Sequence, residues 1–183
     1  MVEDKQELII LNPKTVYKTK LDSYFVELAL NFIDKNNFCF SKKEHWDCDV
    51  VTTHQFSKNI LTQESLLVLK HEVLKCLDDY MIITKKFYNG FIDESWYNIY
   101  EKNFFQEFHN HENPIHQHIC GVFYLSEENS PIEFFIGDDS TKIKPNKGEL
   151  IIFDYSFYHR VMMNKKESQR ISLAFNFRRC EEV

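Results

Sequence analysis

The sequence predicts an α+β fold in which helices brace one side of an antiparallel β-barrel or sandwich. Three observations carry this. Apolar residues recur at helical spacing in two stretches before Met81. After that point they fall in short runs of β-branched and aromatic residues separated by polar turns. Helices gathered first and strands gathered last is the order of an α+β chain, not of alternating β-α-β units.

Taken in order, Leu8-Ile9-Ile10-Leu11 reads as a first strand stopped by Asn12-Pro13. From Leu21, the positions Leu21, Phe25, Leu28, Ala29, Phe32 and Ile33 form one helical stripe. A second helix is expected from Thr62 as N-cap, with Glu64 in its first turn and Leu66, Leu69, Val73, Leu74 and Leu77 buried. The period changes at Met81-Ile82-Ile83, ahead of a turn near Asn89-Gly90. Strands are expected at 95–100, 119–125, 132–136, 149–153 and 170–177, with a turn at Pro145-Asn146-Lys147-Gly148. Neither a repeat nor a boundary interrupts this pattern. The expectation is one domain over 1–183, with 1–90 a helical support layer carrying the first strands and 91–183 the barrel core.

A chain of 183 residues buries roughly 70% of its unfolded surface. Its 43% hydrophobic and 27% charged residues are globular values and exclude a disordered chain. Seventeen Phe, nine Tyr and two Trp exceed what a core needs, so some rings must line a cleft or an interface. A net charge of −6 disfavours nucleic acid as a partner, because phosphate contacts need a basic face. Five scattered cysteines without a Cys-x-x-Cys pair point to a reducing compartment. Met1–Lys5 is acidic and leads into no apolar signal core, and no apolar run approaches the ~18 residues of a membrane span. A cytoplasmic location is therefore expected. The richness in Lys, Asn, Ile and Phe resembles the codon bias of an AT-rich, phage-like genome, for which the location would be the host cytoplasm. Homodimerisation stays open.

Four of the eight histidines fall within His109–His118. In a strand, side chains two apart share a face, so His109 and His111 can present two imidazoles to one ion. Imidazole suits iron, zinc, copper and nickel. His159, which follows a strand opening after the Pro145–Gly148 turn, is the candidate third ligand. A polar surface strand would account for His-x-His alone, and a hydrogen-bonded core residue for His159 alone. Arg170 and Ser172 share one face of a late alternating strand with Ala174 and Asn176. A guanidinium beside a hydroxyl suits a carboxylate, although a structural salt bridge would also account for it.

In this order, Trp96-Tyr97-Asn98, His109-Asn110-His111, Cys120-Gly121-Val122-Phe123-Tyr124-Leu125, His159 and Arg170-Ile171-Ser172-Leu173-Ala174-Phe175-Asn176-Phe177 resemble the iron(II)/2-oxoglutarate oxygenases of the prolyl-hydroxylase-like branch, in particular small oxygenases of phages and marine bacteria. The likeness covers 95–178 and is fainter over Trp46–Thr53 and the second helix. It implies a double-stranded β-helix, the jelly-roll or cupin-like barrel, braced by the N-terminal helices. It implies a metal at His109 and His159, and Arg170, Ser172 and Tyr124 on the distal carboxylate of 2-oxoglutarate. Asn98 and Tyr100 match an Asn-x-Tyr that contacts this cosubstrate in nucleic-acid-demethylating relatives. His111 departs from the family, standing where the common triad of two His and one acid has its carboxylate. His118 shares strand parity with Tyr124 and is the alternative ligand.

The implied activity is that of a dioxygenase using Fe(II), 2-oxoglutarate and O2, with ascorbate as an accessory reductant. It would hydroxylate a protein side chain or small molecule and release succinate and CO2. Two rivals remain: a cupin-type three-histidine metalloenzyme, which does not require Arg170-Ile171-Ser172, and a catalytically silent barrel serving as a binding module.

Overall fold

The computed structural model describes residues 7–11, 14–36, 38–42, 48–55, 58–112, 118–127 and 129–180. Strands β1 (Glu7–Leu11) and β2 (Lys14–Lys20) lead into helix α1 (Ser23–Lys35). Asp22 caps that helix by accepting from the Tyr24 N–H at 2.8 Å. Val26 and Ala29 are its buried positions, and Phe25, Leu28, Phe32 and Ile33 pack beside them.

Short strands β3 (Ser41–Lys42) and β4 (Val51–Thr52) follow, then helix α2 (Leu67–Thr84). The N-terminus of α2 differs from the expectation. Thr62 ends a 3-10 turn and donates its hydroxyl to the Asn59 carbonyl, a second 3-10 turn holds Glu64–Leu66, and α2 opens at Leu67 without a side-chain cap. Its Leu69, Val73 and Leu77 are buried, as the stripe requires. The helix continues through Met81-Ile82-Ile83 to Thr84, where Lys85 adopts φ 55° and donates to the Met81 and Ile82 carbonyls. A run of three apolar residues fits the last turn of a helix as well as a strand, which is why period alone stopped it early.

The remaining strands are β5 (Gly90–Tyr100), β6 (Gln106–His109), β7 (His118–Tyr124), β8 (Ile132–Ile136), β9 (Asp139–Ile143), β10 (Glu149–Asp154), β11 (Tyr158–Val161) and β12 (Arg170–Arg179). Among the described residues they form two antiparallel sheets. The larger runs β1-β2-β10-β7-β12-β5-β4-β3 and the smaller β6-β11-β8-β9. This is the double-stranded β-helix, or jelly roll, of the predicted fold class.

Period two divides the larger sheet's side chains. Leu150, Ile152, Leu173 and Phe175 join the core shared with α1 and α2. Ile151, Phe153, Cys120 and Tyr124 point between the sheets and meet Ile132, Phe134 and Ile143 of the smaller one. The strand β12 is central, pairing with β5 on one side and β7 on the other, and its Leu173, Phe175 and Phe177 belong to the core under the helices. The N-terminal half is thus more than a helical layer, since β2 pairs with β10 inside the larger sheet. Trp46, Asp47 and the 113–117 stretch with His116 lie outside the described residues.

Gly121 stands opposite Phe175 in the β7–β12 ladder, and a Cβ built there would lie 2.0 Å from the Phe175 ring. Gly121→Ala is therefore expected to cost about 1–3 kcal/mol by forcing that ring out of a packed core, read as a lowered midpoint in urea unfolding. An unchanged midpoint would mean that the ring moves freely.

Candidate active site

His109 closes β6, and His159 stands opposite it in β11 as its antiparallel partner. Their ring centroids are 4.2 Å apart. His111 lies past the end of β6, held by its backbone N–H to the Tyr155 carbonyl at 3.1 Å. Its ring stacks on His159 at 5.3 Å and 6°. One ligand atom from each of the three lies within 4.8 Å of the others. The sequence expectation placed His109 and His111 on one face of a straight strand. In the structure the strand ends first, and a loop brings the second imidazole round.

The tautomers follow from the hydrogen bonds. His109 Nδ1 is 2.8 Å from the Glu107 carbonyl and His159 Nδ1 is 3.0 Å from the Phe157 carbonyl. A carbonyl only accepts, so each Nδ1 donates, and Nε2 is the ring nitrogen that remains an acceptor. Burial, reinforced by His109 and His111 nearby, pushes the His159 pKa well below its ordinary value. The ring is neutral at physiological pH, as a metal ligand must be.

Gln106 is the residue that sequence reasoning missed. Its amide nitrogen is 3.4 Å from His109 Nε2, and its Oε1 accepts from the Tyr100 hydroxyl at 2.8 Å. Nothing in the local pattern marks it, because a glutamine opening a short strand is ordinary.

Deeper in the same slot is Arg170, 1% exposed. Its guanidinium lies 4.3 Å from the Tyr100 ring centroid and 5.3 Å from that of Tyr124. Neither Nε nor Nη1 has a hydrogen-bond partner, and the same holds for Ser172 Oγ, Tyr124 Oη and Asn98 Oδ1. Burial holds the Tyr100 pKa up at about 12, although Arg170 pulls it down, and raises that of Tyr124 for the same reason. Both hydroxyls are therefore present as protonated donors. Among the described residues no carboxylate forms a salt bridge with Arg170. A buried cation beside unanswered donors fits an anion with several acceptor oxygens. Three imidazoles converging on one point fit a first-row metal ion. The residues present thus fit a metal together with a carboxylate ligand.

All eight sequence-predicted site residues line this slot: Asn98, Tyr100, His109, His111, Tyr124, His159, Arg170 and Ser172. His118, offered as an alternative ligand, is not in the histidine group. It is buried at the start of β7 with its Nε2 3.9 Å from Asp93. A second, wider cavity of about 390 Å³ opens outside the slot and shares His109 and His111 with it.

Residues 137–176 match a family model described as "Putative 2OG-Fe(II) oxygenase". Comparison with curated proteins finds no match. Among solved structures, a prolyl-4-hydroxylase of Pseudomonas putida superposes with a TM-score of 0.71 at 16% identity, covering 94% of this chain and 96% of that one. The viral collagen prolyl hydroxylase of Paramecium bursaria Chlorella virus-1, solved with 2-oxoglutarate, gives 0.68 at 14% identity over 94% and 100%. HygX of Streptomyces hygroscopicus, solved with nickel, 2-oxoglutarate and hygromycin B, gives 0.67 at 10% identity over 93% and 85%. None of the described helices is long and apolar enough to cross a membrane. The chain thus shares the double-stranded β-helix of these prolyl-hydroxylase-like structures, and its residues 137–176 are similar to the 2-oxoglutarate/iron(II) oxygenase family.

Proposed function

We propose that this chain hydroxylates a protein side chain or a small molecule, with iron(II) held by His109, His111 and His159 and the distal carboxylate of 2-oxoglutarate held by Arg170, Ser172 and Tyr124. The carrying observation is that a metal-competent histidine group and an unanswered buried guanidinium open into one slot. When bound, iron(II), 2-oxoglutarate and O2 together supply the oxidising chemistry, with loss of succinate and CO2.

The chain's own residues do the rest. The guanidinium of Arg170 neutralises and orients one carboxylate, and the Ser172 and Tyr124 hydroxyls donate to the same group. Tyr100 flanks Arg170 with its ring and fixes Gln106 through its hydroxyl, and Gln106 in turn contacts His109. Asn98 adds an amide beside the cosubstrate. Phe134 and Phe153 pack against His159 at centroid distances of 5.9 and 4.9 Å and exclude water from it. Three neutral imidazoles leave the two charges of the ion for the dicarboxylate to balance, so a carboxylate at position 111 is not required. The support layer of 1–90 and the barrel core of 91–183 act as one catalytic unit in this reading.

Purified chain is expected to bind one equivalent of Fe(II) or Co(II), measured by elemental analysis, and to lose it in His159→Ala. Arg170→Ala should keep the metal and lose saturable 2-oxoglutarate binding by calorimetry. Retained binding in that variant would overturn the anchor.

His111→Asp recreates a two-histidine, one-carboxylate triad and should keep both iron and succinate production. Loss of iron in His111→Asp, with retention in His111→Ala, would show that His111 is not a ligand.

Stability supplies a test independent of turnover. Replacing a buried unpaired charge by an apolar chain of similar length is favourable, so Arg170→Met should raise ligand-free unfolding stability by about 1 kcal/mol or more. A destabilised Arg170→Met would mean that the guanidinium has structural partners.

A further inference from the structure

The strand β10 ends at Asp154, and the turn that follows it holds more than its own chain. The Asp154 carbonyl accepts from the Phe157 N–H at 3.1 Å, closing a four-residue turn. The Asp154 carboxylate fastens the same turn from inside. Its Oδ1 accepts from the Ser156 N–H at 3.2 Å and from the Ser156 hydroxyl at 2.9 Å. Its Oδ2 accepts from Arg179 Nη2 at 2.8 Å, the two side chains being 11% and 10% exposed, and Lys86 Nζ stands 4.0 Å from the same oxygen. Arg179 is the last residue of β12, and its guanidinium lies 3.7 Å from the Tyr88 ring centroid and 5.7 Å from that of Tyr155. One carboxylate thus ties the turn to the end of the sheet's central strand.

Three successive carbonyls of this turn accept from three different parts of the chain. Tyr155 accepts from the His111 N–H at 3.1 Å, Ser156 from Lys14 Nζ at 2.7 Å, and Phe157 from His159 Nδ1 at 3.0 Å. Two of the three clustered histidines therefore depend on one turn. His111, past the end of β6, is placed through its backbone, and His159 is oriented through its ring nitrogen. His109 is oriented from elsewhere, by the Glu107 carbonyl of its own strand. The peptide bond supplies the linkage. The Tyr155 carbonyl and the Ser156 N–H belong to one planar group, so the oxygen that holds that N–H also fixes the direction of the carbonyl.

We propose that Asp154, braced by Arg179, is a positioning residue for the histidine group: by holding the Ser156 N–H it fixes the Tyr155 carbonyl that places His111, and by closing the turn it fixes the Phe157 carbonyl that orients His159. That this placing serves a metal ion rests on the oxygenase reading above.

The test compares Asp154→Asn, Arg179→Met and Ser156→Ala with Glu149→Gln, a control at the opposite end of β10. Glu149 is also buried and accepts from the Asn146 N–H and Nδ2 at 2.8 and 3.0 Å. Two quantities are read on the full chain: hydrogen exchange of the His111 amide without metal, by NMR, and Co(II) affinity, by calorimetry. Asp154→Asn and Arg179→Met should each speed His111 exchange about tenfold, the scale of one charge-assisted contact. Each should also weaken Co(II) about tenfold, as the loss of a group that supports a metal ligand does. Arg179→Lys, which keeps the charge, should recover most of what Arg179→Met loses. Ser156→Ala removes a single neutral bond and should speed the exchange about threefold, which keeps the test open should the charge variants fail to fold. Glu149→Gln should lower the urea midpoint and leave both quantities unchanged. Unchanged His111 exchange in Asp154→Asn, or in Ser156→Ala where that variant alone folds, would overturn the proposal. Equal changes in Glu149→Gln would overturn it too, because they would mark a general loosening. So would faster exchange with undiminished Co(II) affinity. Faster exchange in variants of a chain that binds no Co(II) sinks the metal reading and leaves the turn's hold on His111 standing. Normal Co(II) binding with unchanged exchange sinks the positioning role alone.

Discussion

A guanidinium with two unanswered nitrogens, 1% exposed, is the constraint on which the rest of this structure depends. Burying such a charge unpaired costs several kcal/mol. It is tolerated because β12, whose first residue is Arg170, is the most firmly held strand of the larger sheet, with β5 on one flank and β7 on the other. Those two neighbours also supply the rings of Tyr100 and Tyr124 that sandwich the cation. The geometry that holds the guanidinium is thus the geometry of the sheet's centre.

The histidines depend on a different sheet. His109 and His159 come from β6 and β11 of the smaller sheet, and register alone sets them opposite each other. His111 is added by a backbone hydrogen bond to Tyr155, immediately after β10 of the larger sheet. The histidine group and the Arg170 guanidinium therefore come from opposite sheets of the barrel. The path from Arg170 past the Tyr100 ring, through its hydroxyl to Gln106 and on to His109, is a continuous physical link between the two. A polar link of this kind fixes side-chain orientation at both ends because every member is buried or half-buried.

The slot holds a buried cation and hydroxyl donors, suited to an anion. The outer cavity is lined by Glu94 and Glu107 among its described residues. Asn176 belongs to both, being the last inward-facing position of β12 before the irregularity that separates it from Phe177.

Much of this was written locally. The alternation in 170–177 put Arg170, Ser172, Ala174 and Asn176 on one face, and the paired strand keeps them there, because period two survives any tertiary arrangement. The same holds for Asn98 and Tyr100 on β5, and for the core stripes of both helices. The order of motifs carried the family likeness and the choice of His159. The sequence could not say that β6 ends at His109, because a strand's end is set by what pairs with it, here β11 with an irregular register after His159. It could not find the start of α2 either, since an N-cap threonine and one in a 3-10 turn look alike locally. His118 shared parity with the pocket strand, yet its height along the barrel took it to Asp93. Parity fixes a side chain's face. Register and closure fix its depth, and depth decided which histidines meet and why Gln106 matters.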